Sequence, residues 1–241
     1  MDSVVILAKG DFPQHPIPLR ILNEVDTIIC CDGAVNNLVE YGLIPTHIIG
    51  DMDSITTELK IKYEDQLIHI PDQNENDLRK AVRWAEKNGA KETIILGATG
   101  KRDDHSLANI FTLLEFPSQM KMTINTDFGK FSIVKSEHKF DSFSGEQVSI
   151  FSTDNSIEIT STYLKYNFNS KKLTSLYSGS LNESINEYFS VSISHGEILG
   201  GDACTKQLWK KKPVPPGPFG ATMPPSSANS RIFLSSSVHR G

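Results

Sequence analysis

Cysteine is scarce in this sequence, and long apolar runs are missing from it. The 241 residues include three cysteines, Cys30, Cys31 and Cys204. Three cysteines cannot form a disulfide framework, and their spacing is not that of a zinc site. No apolar run approaches the roughly 20 residues that span a bilayer, and residues 4–8 are too short for the core of a signal peptide. These absences favour a cytoplasmic protein without a membrane partner.

The chain also lacks an excess of positive charge. It has 24 Lys and Arg residues against 29 Asp and Glu residues, and its first 200 residues hold 18 basic and 28 acidic side chains. An acidic chain is poorly suited to general nucleic-acid binding, which depends on neutralising phosphates. We therefore expect no nucleic-acid partner, and the imbalance favours cationic ligands or divalent metal ions.

The glycine-rich phosphate motifs are absent as well. There is no G-x-G-x-x-G, and the segment from Gly97 to Lys101 is not a Walker A loop. Its glycines are too close together, and no Ser or Thr follows the lysine. A phosphate ligand would therefore be held by a metal ion and basic side chains.

The first half of the chain alternates short apolar segments with helix patterns. The clearest helix begins after Asn76, a good N-cap, and ends at Asn88 and Gly89. This alternation predicts an α/β domain over residues 1–127, with a mostly parallel sheet and helices on both faces. The six apolar segments, each a predicted strand, are residues 4–8, 27–31, 47–50, 66–70, 93–97 and 120–125.

From about Gly129 the helical period gives way to short β-rich segments separated by polar turns. This pattern predicts a smaller all-β sandwich or barrel domain over residues 128–200. The predicted strands are residues 131–134, 147–152, 157–160, 173–177 and 188–193.

The last 41 residues have a different composition. Residues 201–241 contain six of the twelve prolines and several serine clusters, with Asp202 as their one acidic residue. Such a segment cannot bury enough surface to offset its ordering entropy. We predict a disordered tail, or an artefact of cloning or reading frame.

Aspartates follow four consecutive predicted strands, the second to the fifth. Ligands of parallel sheets bind beyond the carboxyl ends of the strands, so we expect these carboxylates to share one edge. Crowded carboxylates raise each other's pKa unless a cation joins them. Oxygen ligands without a His or Cys cluster point to Mg²⁺. The aspartates are Asp32, Asp51, Asp53, Asp72, Asp77, Asp103 and Asp104.

The loop after the fifth predicted strand supplies positive charge. Lys101 and Arg102 lie there, and cations are needed where charge develops on a transferring phosphoryl group. His105 follows two aspartates, as in a metallophosphoesterase, but Ser106 replaces the second histidine of that pattern. We interpret His105 as a residue at a helix start or at the substrate's edge.

Four blocks of the sequence resemble the thiamine pyrophosphokinase family in order and spacing. They are residues 31–36, 45–54, 72–81 and 97–105, and the likeness covers roughly residues 4–200. The resemblance implies transfer of a pyrophosphoryl group from ATP to the hydroxyl of thiamine, giving thiamine diphosphate and AMP. It also implies Mg²⁺ as cofactor and a homodimer, with the active site between the α/β domain of one subunit and the β domain of the other.

Site roles follow from the same resemblance, residue by residue. The implied Mg²⁺ ligands are Asp32, Asp51, Asp53 and Asp77. The implied catalytic residues are Asp51, Asp53, Asp77 and Arg102. The implied ATP contacts are Asp32, Asn36, Lys101, Arg102 and Asp104, and the implied thiamine contacts are Gln73, Ser180 and Asn182.

The chain departs from the family pattern at two of these blocks. Leu181 stands where the family usually has serine in a Gly-x-Ser-Asn element. Either Ser180 replaces that serine or the thiamine pocket differs. Asn76 stands where threonine is common, a change that preserves helix capping.

Two other functions are compatible with the same carboxylates. Another Mg²⁺-dependent phosphotransferase or phosphoesterase would act on a phosphate compound without needing thiamine. A non-catalytic nucleotide- or vitamin-binding protein would bind its ligand without releasing AMP.

Overall fold

The computed structural model describes residues 2–116 and 120–203. Residues 201–203, which the sequence assigns to the tail, form the end of a strand, and the rest of the predicted tail lies outside the described residues. Among the described helices, none is long and apolar enough to cross a membrane.

The N-terminal region alternates strands and helices as predicted. All six predicted strands are present, and helix α4 begins directly after Asn76, whose Oδ1 accepts the Arg79 N–H at 2.9 Å. The elements are β1 (Ser3–Leu7), α1 (Pro16–Glu24), β2 (Ile28–Cys31), α2 (Ala34–Tyr41), β3 (His47–Gly50), α3 (Thr57–Lys62), β4 (Leu67–His69), α4 (Asp77–Lys87), β5 (Glu92–Leu96), α5 (Asp103–Glu115) and β6 (Lys121–Asn125).

The C-terminal region is built of strands. They are β7 (Gly129–Val134), β8 (Glu137–Asp141), β9 (Gln147–Phe151), β10 (Glu158–Thr162), β11 (Lys171–Lys172), β12 (Asn182–Glu183), β13 (Tyr188–Ile193) and β14 (Ile198–Ala203).

The predicted strands of the C-terminal region include one that is wrong and omit four of the observed strands. The strand predicted at residues 173–177 is wrong, because Leu176–Gly179 is a 3₁₀ helix whose tyrosine is exposed. Strands β8, β11, β12 and β14 were not predicted, and in β14 two glycines weaken the strand pattern. A Cβ atom at Gly200 would lie 3.0 Å from the Phe140 ring, so close packing explains the first of them.

The two regions share one sheet of ten strands, in the order β12-β9-β14-β7-β6-β5-β1-β2-β3-β4. The strands from β6 to β4 are parallel, and β7 joins them antiparallel to β6. A second, antiparallel sheet, β11-β10-β13-β8, packs on the C-terminal part through a shared core that includes Phe140, Phe189 and Ile150. The predicted fold class, an α/β region followed by a β sandwich, is confirmed.

Both faces of the parallel strands are covered. Val4 and Ile6 of β1 enter one apolar core with helix α4, whereas Val5 and Leu7 enter the other with helices α1 and α2. Side chains alternate along a strand, so an apolar run such as β1 requires cover on both sides. The two apolar cores cover the faces of the sheet but not the carboxyl ends of its parallel strands.

One buried carboxyl group stands out in the C-terminal region. Glu146 precedes β9 and is 6% exposed, and the Ser142 hydroxyl donates to its Oε2 at 2.5 Å. Burial raises the pKa of Glu146 to about 7, and the nearby charge of Asp202 adds to the rise. The folded chain therefore holds a proton here that an unfolded chain would release in mildly acidic solution.

This proton makes stability depend on pH. The pKa of Glu146 exceeds its ordinary value of 4.5, so stability falls as pH rises through the interval between the two values. The free energy of unfolding of Glu146→Gln, compared with that of the wild type, should rise from about pH 5 to about pH 8, by up to about 3 kcal/mol. Urea unfolding at both pH values measures the gain, with the exposed Glu187→Gln as control. A difference between Glu146→Gln and wild type that does not change with pH would contradict the assignment.

Candidate active site

Three carboxylates meet at the carboxyl ends of the parallel strands. Asp32 follows β2, Asp51 follows β3, and Asp77 is the first residue of α4. One oxygen atom from each lies within 4.8 Å of the others. Parallel pairing of β2 with β3 places the first two side by side, and α4 packs against both strands. The structure thus brings together three of the four predicted Mg²⁺ ligands.

Asp32 is the most enclosed of the three, at 2% exposure. Its Oδ2 accepts the Ser54 backbone N–H at 3.2 Å and lies 3.7 Å from the Lys9 Nζ. Its Oδ1 is buried, with no hydrogen-bond partner among the described residues. A desolvated carboxylate oxygen without a donor is unfavourable, so this atom is suited to bind a cation.

Asp77 is half-buried beside Lys80, a lysine without a role in the predicted site. Burial raises the pKa of Asp77, the charges of Asp32 and Asp51 raise it further, and Lys80 opposes them. The Lys80 side chain is 4% exposed, and its Nζ lies 3.1 Å from the Asp77 Oδ1. A lysine three residues after an aspartate on one helix shares its face, which is the signal that could have identified Lys80.

Asp51 is held in its ionised form. The Gln73 side-chain amide donates to its Oδ2 at 3.2 Å, and the Asp53 backbone N–H donates to its Oδ1 at 3.2 Å. These hydrogen bonds, that of Gln73 first, lower the pKa of Asp51. The Asp53 side chain is exposed and does not belong to the group of three carboxylates in the described structure. Its role as a metal ligand stays a prediction.

Gly50 keeps the space between the carboxylates open. A Cβ atom at this position would lie 2.8 Å from the Asp32 Cβ and 3.2 Å from the Asp77 Cγ. No L side chain fits there without pushing the two aspartates apart. Gly50 lies within the 45–54 block of the family resemblance, which gave no role to this residue.

A cavity of about 410 Å³ opens beside the carboxylates. This volume lies within the range of small-molecule binding sites. The carboxylates of Asp51 and Asp77 form part of its wall, and so do four cationic side chains from three different segments. The cations are Lys9, Lys80, Lys101 and Arg102.

The β5–α5 loop fixes two of these cations. Lys101 has a φ of +60°, and its Nζ donates to the Lys9 carbonyl at 3.0 Å. Arg102 binds Asp104 through two hydrogen bonds, from Nε to Oδ1 at 3.1 Å and from Nη2 to Oδ2 at 2.6 Å. This fork lowers the pKa of Asp104 to about 2. Asp104 therefore orients the guanidinium that lines the cavity.

Lys9 and Asn36 both bind Ser54, whose backbone N–H donates to Asp32. The Lys9 Nζ donates to the Ser54 hydroxyl, and the Asn36 Nδ2 donates to the Ser54 carbonyl at 3.0 Å. The Asn36 Oδ1 is buried and unpartnered within the part of the chain that the structure describes. Asn36, a predicted ATP contact, supports the segment around Ser54 and is not part of the cavity wall. Lys9 was not identified from the sequence.

The predicted thiamine contacts Ser180 and Asn182 lie elsewhere. Asn182 is buried in β12, and its carboxamide forms hydrogen bonds with the Tyr166 backbone at 2.7 and 3.1 Å. The Ser180 hydroxyl donates to the Tyr177 carbonyl at 2.8 Å. Seven strands separate β12 from β3 in the sheet, a distance on the order of 35–40 Å. These residues cannot reach the carboxylates of their own chain, whereas Gln73 lies among them.

Family models match both regions of the chain. The model described as "Thiamin pyrophosphokinase, catalytic domain" matches residues 19–126. The model described as "Thiamin pyrophosphokinase, substrate-binding domain" matches residues 129–199. The first match contains the three carboxylates and the cationic loop, and the second contains Ser180 and Asn182.

Curated relatives agree with these matches over part of their length. Thiamin pyrophosphokinase 1 of Caenorhabditis elegans is 28% identical over 141 residues, which are 52% of this chain and 55% of that protein. Thiamine pyrophosphokinase of Bacillus subtilis (strain 168) is 33% identical over 116 residues, 46% and 53% of the two chains. The chain thus spans about half the length of the curated relatives it matches.

Solved structures share the fold over nearly their whole length. The crystal structure of thiamine pyrophosphokinase from Bacillus subtilis has a TM-score of 0.70 at 20% identity and covers 84% of this chain and 99% of that one. Thiamin pyrophosphokinase from Candida albicans has a TM-score of 0.70 at 19% identity, covering 84% and 90%.

The contact between Lys80 and Asp77 generates a stability prediction. We expect Lys80→Met to lower the free energy of unfolding at neutral pH by about 1–3 kcal/mol, because the Asp77 carboxylate loses its nearest cation. The loss should shrink in acid, where Asp77 takes up a proton. A double-mutant cycle with Asp77→Asn isolates the coupling by urea unfolding, and Lys87→Met, exposed at the end of α4, is the control. Strictly additive effects of the two changes would contradict the contact.

Proposed function

The chain belongs to the thiamin pyrophosphokinase family, and from that premise we propose that it transfers a pyrophosphoryl group from ATP to the hydroxyl of thiamine, with AMP as leaving group. The observation that carries the proposal is the group of three carboxylates opening onto a cavity with four cations. A triphosphate needs both: cations for its oxygens, and acidic side chains for the metal ion that accompanies it.

We propose that Asp32, Asp51 and Asp77 hold Mg²⁺, with Asp53 as a further predicted ligand. Three features of the chain fit this ion: ligands that are all oxygens, the buried Asp32 Oδ1 without a partner in the described structure, and the space that Gly50 leaves open. When bound, Mg²⁺ would neutralise part of the charge of the phosphates.

The side chains around the cavity bind and orient the triphosphate. Lys101 and Arg102 approach from the β5–α5 loop, and Lys80 approaches from α4. Arg102 is already aligned by Asp104, so little side-chain entropy is lost when it binds phosphate. Attack at the β-phosphorus rather than the γ-phosphorus follows from where these groups hold the chain of phosphates, which is a positioning effect.

We propose that a homodimer completes the site. Ser180 and Asn182 lie at the far edge of the sheet from the carboxylates, so a second copy must bring its thiamine-binding residues to the cavity. Apolar side chains are exposed around this element: Leu181 is 83% exposed, and Tyr177 and Ile185 are exposed too. Contiguous exposed apolar groups are typical of interaction surfaces.

We also propose that the protein works in the cytoplasm. Cys30 and Cys31 are free thiols buried in the core, and burial raises the pKa of both. Unpaired cysteines are typical of a reducing compartment.

Release of AMP from ATP, with and without thiamine, tests the reaction. We expect the wild type to release AMP only when thiamine is present. Asp51→Asn should release AMP about a hundredfold more slowly or slower still, because the change weakens both metal binding and phosphate positioning. Mg²⁺ alone should raise the melting temperature of the wild type but not that of Asp51→Asn. Asp72→Asn, an exposed aspartate outside the group of three, is the matched control.

Other outcomes would support the competing functions. ATP breakdown that is indifferent to thiamine would indicate a phosphoesterase. Binding of ATP or thiamine without AMP release would indicate a non-catalytic binding protein. Equal activity in Asp51→Asn and the wild type would contradict the metal-site assignment.

Mixed dimers test the shared active site. We expect Asp51→Asn and Ser180→Trp each to be inactive alone, because one disables the carboxylates and the other blocks the thiamine side. Co-expressed chains should recover about a quarter of wild-type activity, since half of the dimers are mixed and each of these has one intact site. A site formed within a single chain would recover none. Sedimentation of both variants confirms that dimers form.

A further inference from the structure

A line of charged side chains runs along helix α4 from the wall of the active-site cavity. Glu75, Arg79 and Arg83 are spaced four residues apart, so they follow one another on the same side of the helix. Glu75 directly precedes the N-cap Asn76 and forms part of the cavity wall, whereas the two arginines lie outside the described part of that wall. An acidic residue of the cavity is thus next to two cations beyond it.

Arg83 holds the Glu75 carboxylate with three hydrogen bonds. Its Nε donates to Oε1 at 3.0 Å and to Oε2 at 2.8 Å, and its Nη2 donates to Oε1 at 2.6 Å. The Arg79 Nε lies 3.6 Å from the same Oε1. Charge-assisted hydrogen bonds from one guanidinium to both oxygens fix the orientation of a carboxylate as well as its position. The Glu75 carboxylate is therefore turned along α4, toward residues of its first and second turns.

A buried aromatic ring keeps Arg83 in place. The Arg83 Cζ lies 5.0 Å from the centroid of the Phe116 ring, and the Arg79 Cζ lies 6.0 Å from it. Phe116 directly follows α5 and is 2% exposed. The face of an aromatic ring attracts a guanidinium group. The end of α5 therefore anchors the two cations that bind Glu75.

Glu75 adds a negative charge to a cavity that already has two. The hydrogen bonds from Arg83 lower the pKa of Glu75, so this carboxylate is ionised at neutral pH. Asp51 and Asp77 of the same wall belong to the group proposed to hold Mg²⁺. A further carboxylate that was free to turn into the cavity would repel the phosphates and compete for the metal ion. Its orientation therefore affects how well a polyphosphate binds.

We propose that Arg83 is a positioning residue that keeps the Glu75 carboxylate away from the metal ion and the phosphates. With Arg83 in place, the charge of Glu75 is neutralised beside α4, outside the space that the ligand fills. Without Arg83, the Glu75 side chain gains rotamers that extend into the cavity, and the phosphates meet one more negative charge. This inference rests on the proposed function, because it takes a polyphosphate as the ligand of the cavity.

Calorimetric titration of the thiamine-free chain with Mg²⁺ and ATP, AMP or inorganic tripolyphosphate tests this role. We expect Arg83→Glu, which repels Glu75 from its present position, to weaken ATP and tripolyphosphate binding about three- to tenfold. AMP, which carries fewer charges, should lose less. The losses should shrink between about 0.05 M and about 0.5 M salt, because salt screens the repulsion. Lys87→Glu, the same change in charge at an exposed residue of α4, is the control.

A second change, at Glu75, identifies the charge that is responsible. We expect Glu75→Gln alone to bind ATP at least as tightly as the wild type, and Glu75→Gln combined with Arg83→Glu to recover the affinity that Arg83→Glu loses. Arg83→Lys should keep most of the wild-type affinity, because it retains the cation. A purely structural contact would behave differently, since removing either partner would then have the same effect. Should Arg83→Glu fail to fold, Arg83→Met replaces it, with the same order of affinities expected.

Three results would overturn the proposal. They are unchanged tripolyphosphate affinity in Arg83→Glu, equal losses in Glu75→Gln and Arg83→Glu, and a loss in Arg83→Glu that Glu75→Gln does not reverse. The second would show that the pair only anchors the segment before α4, and the third would assign the effect to the charge at position 83. These titrations need no thiamine and no turnover. A chain that binds tripolyphosphate but releases no thiamine-dependent AMP would contradict the proposed reaction, and the comparison of variants would still decide the role of Arg83.

Discussion

Mutual repulsion among three carboxylates is the constraint on which the site depends. Asp32, Asp51 and Asp77 are brought within 4.8 Å of one another by two paired strands and a helix start. The chain offsets this repulsion only in part, through Lys80 at Asp77, Lys9 at Asp32 and the hydrogen bonds to Asp51. Burial first, and then the charges of Asp32 and Asp51, raise the pKa of Asp77 despite Lys80, and the buried Asp32 Oδ1 has no hydrogen-bond partner among the described residues. A divalent cation bound among the three carboxylates would offset the remaining repulsion. The same three charges that destabilise the metal-free protein therefore form the proposed metal site.

The continuous sheet sets the distances over which the proposed function must operate. Its ten strands place the carboxylates near one edge and the Gly179–Asn182 segment near the other. Between them, at the ends of β1, β5 and β6, lies a smaller cavity of about 220 Å³. This sheet is open, with β12 and β4 at opposite ends, so the two segments stay far apart within one chain. That distance is the physical reason to propose a second subunit for the thiamine side.

Local sequence signals predicted much of the fold. Apolar strands buried on both faces are conspicuous in sequence, and so is a helix with Asn76 as its cap, and these elements formed where predicted. Strand β14 was missed because Gly200 and Gly201 look like a turn in sequence. Close packing explains both glycines: Phe140 of the second sheet lies against Gly200, and Phe131 of the paired strand β7 lies against Gly201. The same limit applies to Lys9, whose contacts with Asp32 and Ser54 join residues far apart in the chain.

The sequence by itself determined the order of strands and helices, the gathering of aspartates at strand ends, and the family to which the chain is similar. Each of these depends on local pattern, because burial, capping and strand polarity are encoded within a few residues. Only the tertiary structure decided which three aspartates meet, that Gly50 leaves them the room to do so, and that a smaller cavity lies beside the loop that carries Lys101 and Arg102. Those facts depend on strand register and on loops that meet across long stretches of chain, and no local pattern encodes them.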